Sequence, residues 1–300
     1  MTGTAAPPPY NGIFMLKLRG VFCPLATPFD ACGEIRWAKL RDNLARFGLT
    51  ELSGYLVASR DGEGETLSEA ERERLWEAVR DAAGEKILLA AARAEGVRQA
   101  VESARAAADL GYAAILVEPP GTPEEGSRQR TFFQALADAA PLPVWIDQAS
   151  PATISAGALV AAAAHPNVRG MRWMGRADEI PEGLGEDPER FALTAGREAV
   201  FLDLWERGAR AGIFAAANVV PFHLLSIEEA LRTRETEAAR ELIERLIPFA
   251  ELTAARRPAA VLKHAMDLKG RHGGPPRLPD APLDAAARAA VEAALKGLAG

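Results

Sequence analysis

The chain has 300 residues, 48% of them hydrophobic and 25% charged, with a formal net charge of -6, which describes a soluble globular protein. Its polar stretches mix both signs, so no basic face tracks a phosphate backbone and no polybasic anchor is visible; neither nucleic acid nor membrane is an expected partner. Two cysteines, Cys23 and Cys32, form no CxxC pair and have no histidine at zinc-ligand spacing, which points to a reduced, cytoplasmic setting.

Residues 1–18, with the run Pro7, Pro8 and Pro9, read as a loosely ordered tail without the basic start and apolar stretch of a signal peptide. No apolar run approaches the roughly 18 residues of a membrane span. Beyond the tail, short apolar runs alternate with segments of helical period, the pattern of repeated βα units around a parallel sheet. Strands are predicted at 21–26, 54–58, 87–91, 113–117, 144–146, 168–172, 191–194 and 211–215, with helical stretches between them. One helix starts at Ser68, where Glu71 three residues on completes a capping box before Leu75 and Val79. Another carries Val97, Val101, Ala104 and Ala108 as an apolar stripe and ends before Gly111.

After Pro221 the pattern turns wholly helical, with segments near 235–250, 258–269 and 284–297; a loop over 267–282, dense in glycine and proline, sets off the last. No flexible linker splits the middle, and no GxGxxG or P-loop string follows any strand, so closure is favoured over a doubly wound sheet. The expected α/β fold is a (β/α)8 TIM barrel over residues 19–230 with a C-terminal helical extension over 231–300. Function in such barrels sits at the carboxyl ends of the strands.

Thr27-Pro28-Phe29 followed by Gly33, Gly62-Glu63 followed by Thr66-Leu67-Ser68 and Glu71-Arg72, and Leu142-Pro143-Val144 form one set of motifs. Gly208, Gly212, Asn218 and Pro221, then Lys263 to Gly270 with Arg277-Leu278-Pro279, form another. In this order, over roughly residues 20 to 280, they resemble the dihydrodipicolinate synthase and N-acetylneuraminate lyase family of Schiff-base aldolases. The resemblance implies the barrel, lyase or aldolase chemistry on a 2-oxo acid without a cofactor, and a homo-oligomer, a tetramer or dimer.

The resemblance breaks at the catalytic positions. Arg60 and Asp61 stand where the family's GTTGE string has its two carboxylate-binding hydroxyl residues, and Ser59 replaces the first glycine. Ile146 falls at the proton-relay tyrosine and Asp147 at the asparagine after it; the substrate-orienting arginine aligns near Pro151; Pro119-Pro120-Gly121 replaces the PYY string. Arg172, in Gly170-Met171-Arg172-Trp173, takes the place of the Schiff-base lysine, and no lysine occurs between Lys86 and Lys263. A guanidinium stays protonated and cannot attack a carbonyl as an amine does. Lys263 and Lys269 fall on cap helices, and no lysine is expected to reach the mouth.

By strand ends, the mouth should gather Arg60, Asp61 and Glu63, then Arg93, Glu118, Asp147 and Arg172, then Arg197, Glu198 and Asn218. Asp147 and Arg172, on adjacent strands, are within reach of a direct ion pair. Three readings stay open. The charges form a structural plug; or Arg60 and Arg172 bind a small carboxylate or 2-oxo acid, with Asp147 or Glu118 orienting it; or Asp61, Glu63, Glu118 and Asp147 hold magnesium or manganese for a metal-assisted lyase. A non-catalytic assembly subunit would need none of these ligands. His223, the histidine nearest the mouth, reads as helix-start packing, Cys23 as core, and Trp145 and Trp173 as packing between barrel and helices.

Overall fold

Parallel strands covered on both faces need no polar alternation, and the strands here are short and almost wholly buried. The computed structural model describes residues 16–148, 154–254 and 258–298. Among these, eight strands follow one another: β1 (Gly20–Pro24), β2 (Gly54–Val57), β3 (Ile87–Ala92), β4 (Ala114–Val117), β5 (Val144–Asp147), β6 (Val168–Trp173), β7 (Ala192–Ala195) and β8 (Ala211–Ile213). Each pairs in parallel with the next, and β1 pairs with β8, so the sheet closes into a barrel.

Outside lie α1 (Trp37–Gly48), α2 (Glu69–Ala82), α3 (Val97–Asp109), α4 (Gly126–Ala139), α5 (Ala156–Ala163), α6 (Phe201–Glu206) and α7 (Pro221–Arg232). The cap is α8 (Thr236–Thr253), α9 (Pro258–Leu268) and α10 (Ala285–Lys296). The capping box at Ser68 is present, with Ser68 and Glu71 bonding each other's backbone N–H. The α3 stripe packs as Ala100, Val101, Ala104 and Ala107. No helix of the described residues is long and apolar enough to cross a membrane.

One βα unit departs from expectation. After β6 the chain makes only a short 3-10 turn, Ala177–Glu179, before β7. Pro181, Gly183, Gly185 and Pro188 crowd this connection and deny a helix its run of backbone N–H donors and helical dihedrals.

The barrel interior is filled by Leu18, Phe22, Leu56, Leu89, Leu116, Trp145 and Ile213, while a larger layer packs between barrel and helices. Trp173 lies in that outer layer, as expected, but Trp145 does not: its indole fills the barrel interior. Gly170, its register partner on β6, makes the room, since a Cβ there would sit 2.6 Å from the indole. Alternation along β5 then fixes the rest. Trp145 and Asp147 face in; Val144 and Ile146 face out, into the helix layer.

Candidate active site

The facing of β5 corrects one assignment. Ile146, completely buried in the outer layer, cannot hold a proton-relay position, and the inward residue that meets β6 is Asp147. Asp147 is the register partner of Arg172. Arg172 Nε donates to Asp147 Oδ1 at 2.7 Å and its Nη1 to Asp61 Oδ2 at 2.6 Å, with Arg172 and Asp147 each 1% exposed. Arg60 Nη2 donates to Glu118 Oε2 at 2.8 Å. Five of the predicted site residues, Arg60, Asp61, Glu118, Asp147 and Arg172, therefore meet as one charged cluster with two cations.

Glu63 and Asn218 do not join it. Glu63 adopts a left-handed backbone, φ 62°, which turns it away from Asp61. Its carboxylate pairs with Lys263 on α9 and accepts from the Arg277 backbone N–H at 2.7 Å. Lys263 reaches the loop after β2 only on its cap side, outside the charged cluster; it donates to the Pro275 carbonyl and lies 4.2 Å from the Phe29 ring centre. Asn218 is spent on backbone: it accepts from Ala26 N–H and donates to the Pro24 and Ala215 carbonyls, locking β8 to β1. His223 bonds the Leu242 carbonyl and serves helix packing. Arg93 is exposed beyond β3, and the position read near Pro151 lies outside the described residues.

The sequence does not single out Gln148, and it places Glu198 at the mouth only by its position after β7. Gln148, 3% exposed, accepts from Met174 N–H at 2.8 Å and steadies the exit of β6; its only signal was its place directly after an inward Asp. Glu198, 6% exposed, accepts a long 3.4 Å bond from Ala216 N–H. With Asp61 and Arg197 it faces a cavity of about 140 Å³ that Ile247, Ala250 and Thr253 of α8 close from the cap side.

Burial governs the protonation of these groups. It pushes Asp147 up to about 6, against the pull of Arg172 and with the charges of Glu118 and Asp61 adding to the rise. Burial likewise pushes Glu198 up to about 7, opposed by backbone N–H groups and helped by Asp61. Arg172 stays cationic: burial would lower it, but Asp147 and Asp61 together hold its proton more firmly than usual. Glu198 ordinarily ionises at 4.5, so between about 4.5 and 7 the folded state binds more protons than the unfolded chain. Its contribution to stability is full below that window and is lost as pH rises through it. Urea unfolding of Glu198→Gln across this range should show a flatter decline than the parent; an unchanged slope would mean that Glu198 ionises normally.

The metal set read from sequence is dispersed, with Glu63 on Lys263, Glu118 on Arg60, and Asp61 and Asp147 both on Arg172. Among the described residues no three His, Cys, Asp or Glu converge as a metal site.

Residues 17–298 match the model of the dihydrodipicolinate synthetase family. The 4-hydroxy-tetrahydrodipicolinate synthase of Synechococcus sp. is 32% identical over 275 residues, 88% of this chain and 90% of that protein. The enzyme of the same name from Methanopyrus kandleri is 30% identical over 273 residues, with the same two coverages. The crystal structure of dihydrodipicolinate synthase from Bacillus clausii superposes with a TM-score of 0.84 at 21% identity, covering 94% of this chain and 98% of that one. The match over nearly the whole chain, on a closed barrel with its charged residues at the strand ends, makes this protein a member of the dihydrodipicolinate synthetase family.

Proposed function

We propose that this protein is a family member in which Schiff-base chemistry is lost and whose mouth binds a small carboxylate or 2-oxo acid without a covalent bond. The observation that carries the reading is the state of Arg60. One terminal nitrogen is held by Glu118, and the side chain is still 40% exposed at the mouth. A guanidinium in that state has donors left for a second carboxylate. Arg172 differs, because Asp147 and Asp61 already engage it; it supplies a fixed charge behind the site rather than half of a fork.

Membership supports lyase-type chemistry in general, and any turnover here would have to use acids and bases in place of an amine. Asp147 and Glu198, with pKa values raised toward neutrality, are the groups suited to move a proton. A cytoplasmic homo-oligomer fits two free cysteines, Cys23 buried and Cys32 exposed, and the family resemblance.

One paired experiment tests the reading. Incubation with pyruvate and borohydride should leave the protein's mass unchanged, since hydride traps only an imine. A thermal-shift screen of 2-oxo acids, sugar acids and dicarboxylates should find a binder that at about 100 times its Kd adds roughly 2.7 kcal/mol and about 5 °C. Arg60→Ala should abolish that shift. A covalent adduct would overturn the loss of Schiff-base chemistry; no shift, or one that survives in Arg60→Ala, would leave the ion-pair plug as the better account.

A further inference from the structure

The opposite end of the barrel carries a second concentration of charge. Arg19 immediately precedes β1 and Arg210 immediately precedes β8, and these neighbouring strands place both at the amino-terminal end, away from the mouth. Gly20 N–H donates to the Arg210 carbonyl at 2.8 Å, fixing the two segments together. With Arg232 and Arg234, at the end of α7, they line a cavity of about 350 Å³ that also touches Trp205 and Glu228. That volume falls within the range of small-molecule sites.

Four arginines line this one cavity on a chain of net charge -6. Among the described residues Glu228 is the only carboxylate in the lining, and burial raises its pKa. Arg232 is paired with Glu229, which lies outside the lining.

Two of the arginines have distinctive settings. Arg210 stacks 4.9 Å from the Trp205 ring centre and donates to the Trp205 and Ala209 carbonyls, so its charge is fixed before any ligand arrives. Arg234 adopts φ 66° just past the helix end, where glycine is the usual residue. An arginine there accepts backbone strain that glycine would avoid, and such strain gathers at functional positions.

We propose that this cavity binds a small polyanion, a molecule presenting two or more adjacent phosphate or carboxylate groups, at a site separate from the mouth. Guanidinium groups recognise both chemistries through paired N–H donors. Charges clustered around one cavity favour a multivalent anion over a monovalent one, and the attraction weakens with salt.

The test is calorimetric titration of the full chain with inorganic pyrophosphate and, separately, citrate, at low and at physiological salt. Saturable binding of at least one is expected, weaker at the higher salt, and the stronger of the two identifies the ligand chemistry. Arg234→Gly should weaken binding at least tenfold while raising the melting temperature of the free protein, which separates loss of a ligand contact from loss of fold. Arg60→Ala should bind as the parent does. The proposal is overturned if neither probe binds, if Arg234→Gly binds undiminished, or if Arg60→Ala abolishes binding, which would place the polyanion in the mouth.

Discussion

Arg172→Met is expected to lower the unfolding free energy by about 3–5 kcal/mol, because it leaves Asp147, and in part Asp61, as carboxylates without their cation. In a chain of this size that corresponds to a fall of about 5–15 °C in melting temperature. The loss should come from the stranded charges rather than from the missing side chain, since methionine fills much of the same volume. Combining Arg172→Met with Asp147→Leu and Asp61→Leu should therefore recover most of it, as apolar replacements of whole buried ion networks often do. Thermal unfolding of the single and triple variants decides the matter. Equal stability of Arg172→Met and the parent would show that the cluster does not hold the barrel's top together.

A similar loss, about 3–5 kcal/mol, is expected for Lys263→Met, whose removal isolates Glu63 at 2% exposure. Burial lowers the Lys263 pKa and Glu63 opposes that, so the lysine relies on its partner to stay charged. The pair also joins α9 to the loop that carries Arg60 and Asp61. Arg277 adds to the same junction: it stacks 4.2 Å from the Phe29 ring centre and pairs with Glu71, holding that carboxyl down at about 2. Urea unfolding of Lys263→Met, Glu63→Gln and the double variant should show the two single losses failing to add, since one partner's removal already breaks the interaction. Additive losses would mean that the residues act independently.

The strands were legible because each is a brief apolar run between turn residues, and the helices because α2 and α3 carry a cap and a stripe of helical period. Which way a strand's residues face was not. β5 is four residues long and wholly buried, so periodicity carries no sign of inside or outside; Gly170 on the next strand decides it by leaving room for Trp145. That is why Ile146, placed by sequence at a catalytic position, faces the helix layer instead. The direction of Glu63 was hidden for another reason, since it depends on a left-handed backbone and on a lysine 200 residues further along the chain. The pairing of Asp147 with Arg172 was legible, because adjacent strand ends of a parallel barrel bring such residues into register.

The double embrace of position 172 also bears on reversibility. A lysine restored there would be flanked by Asp147 and Asp61, and two neighbouring carboxylates favour the ammonium form over the free amine that attacks a carbonyl. The residues that now secure the arginine would thus silence the lysine. A single Arg172→Lys change would therefore not supply a reactive amine: both aspartates would have to change before the amine could be of use, and removing both while the arginine remains would strand a buried guanidinium. A reactive lysine at this position would be reached only through destabilised variants.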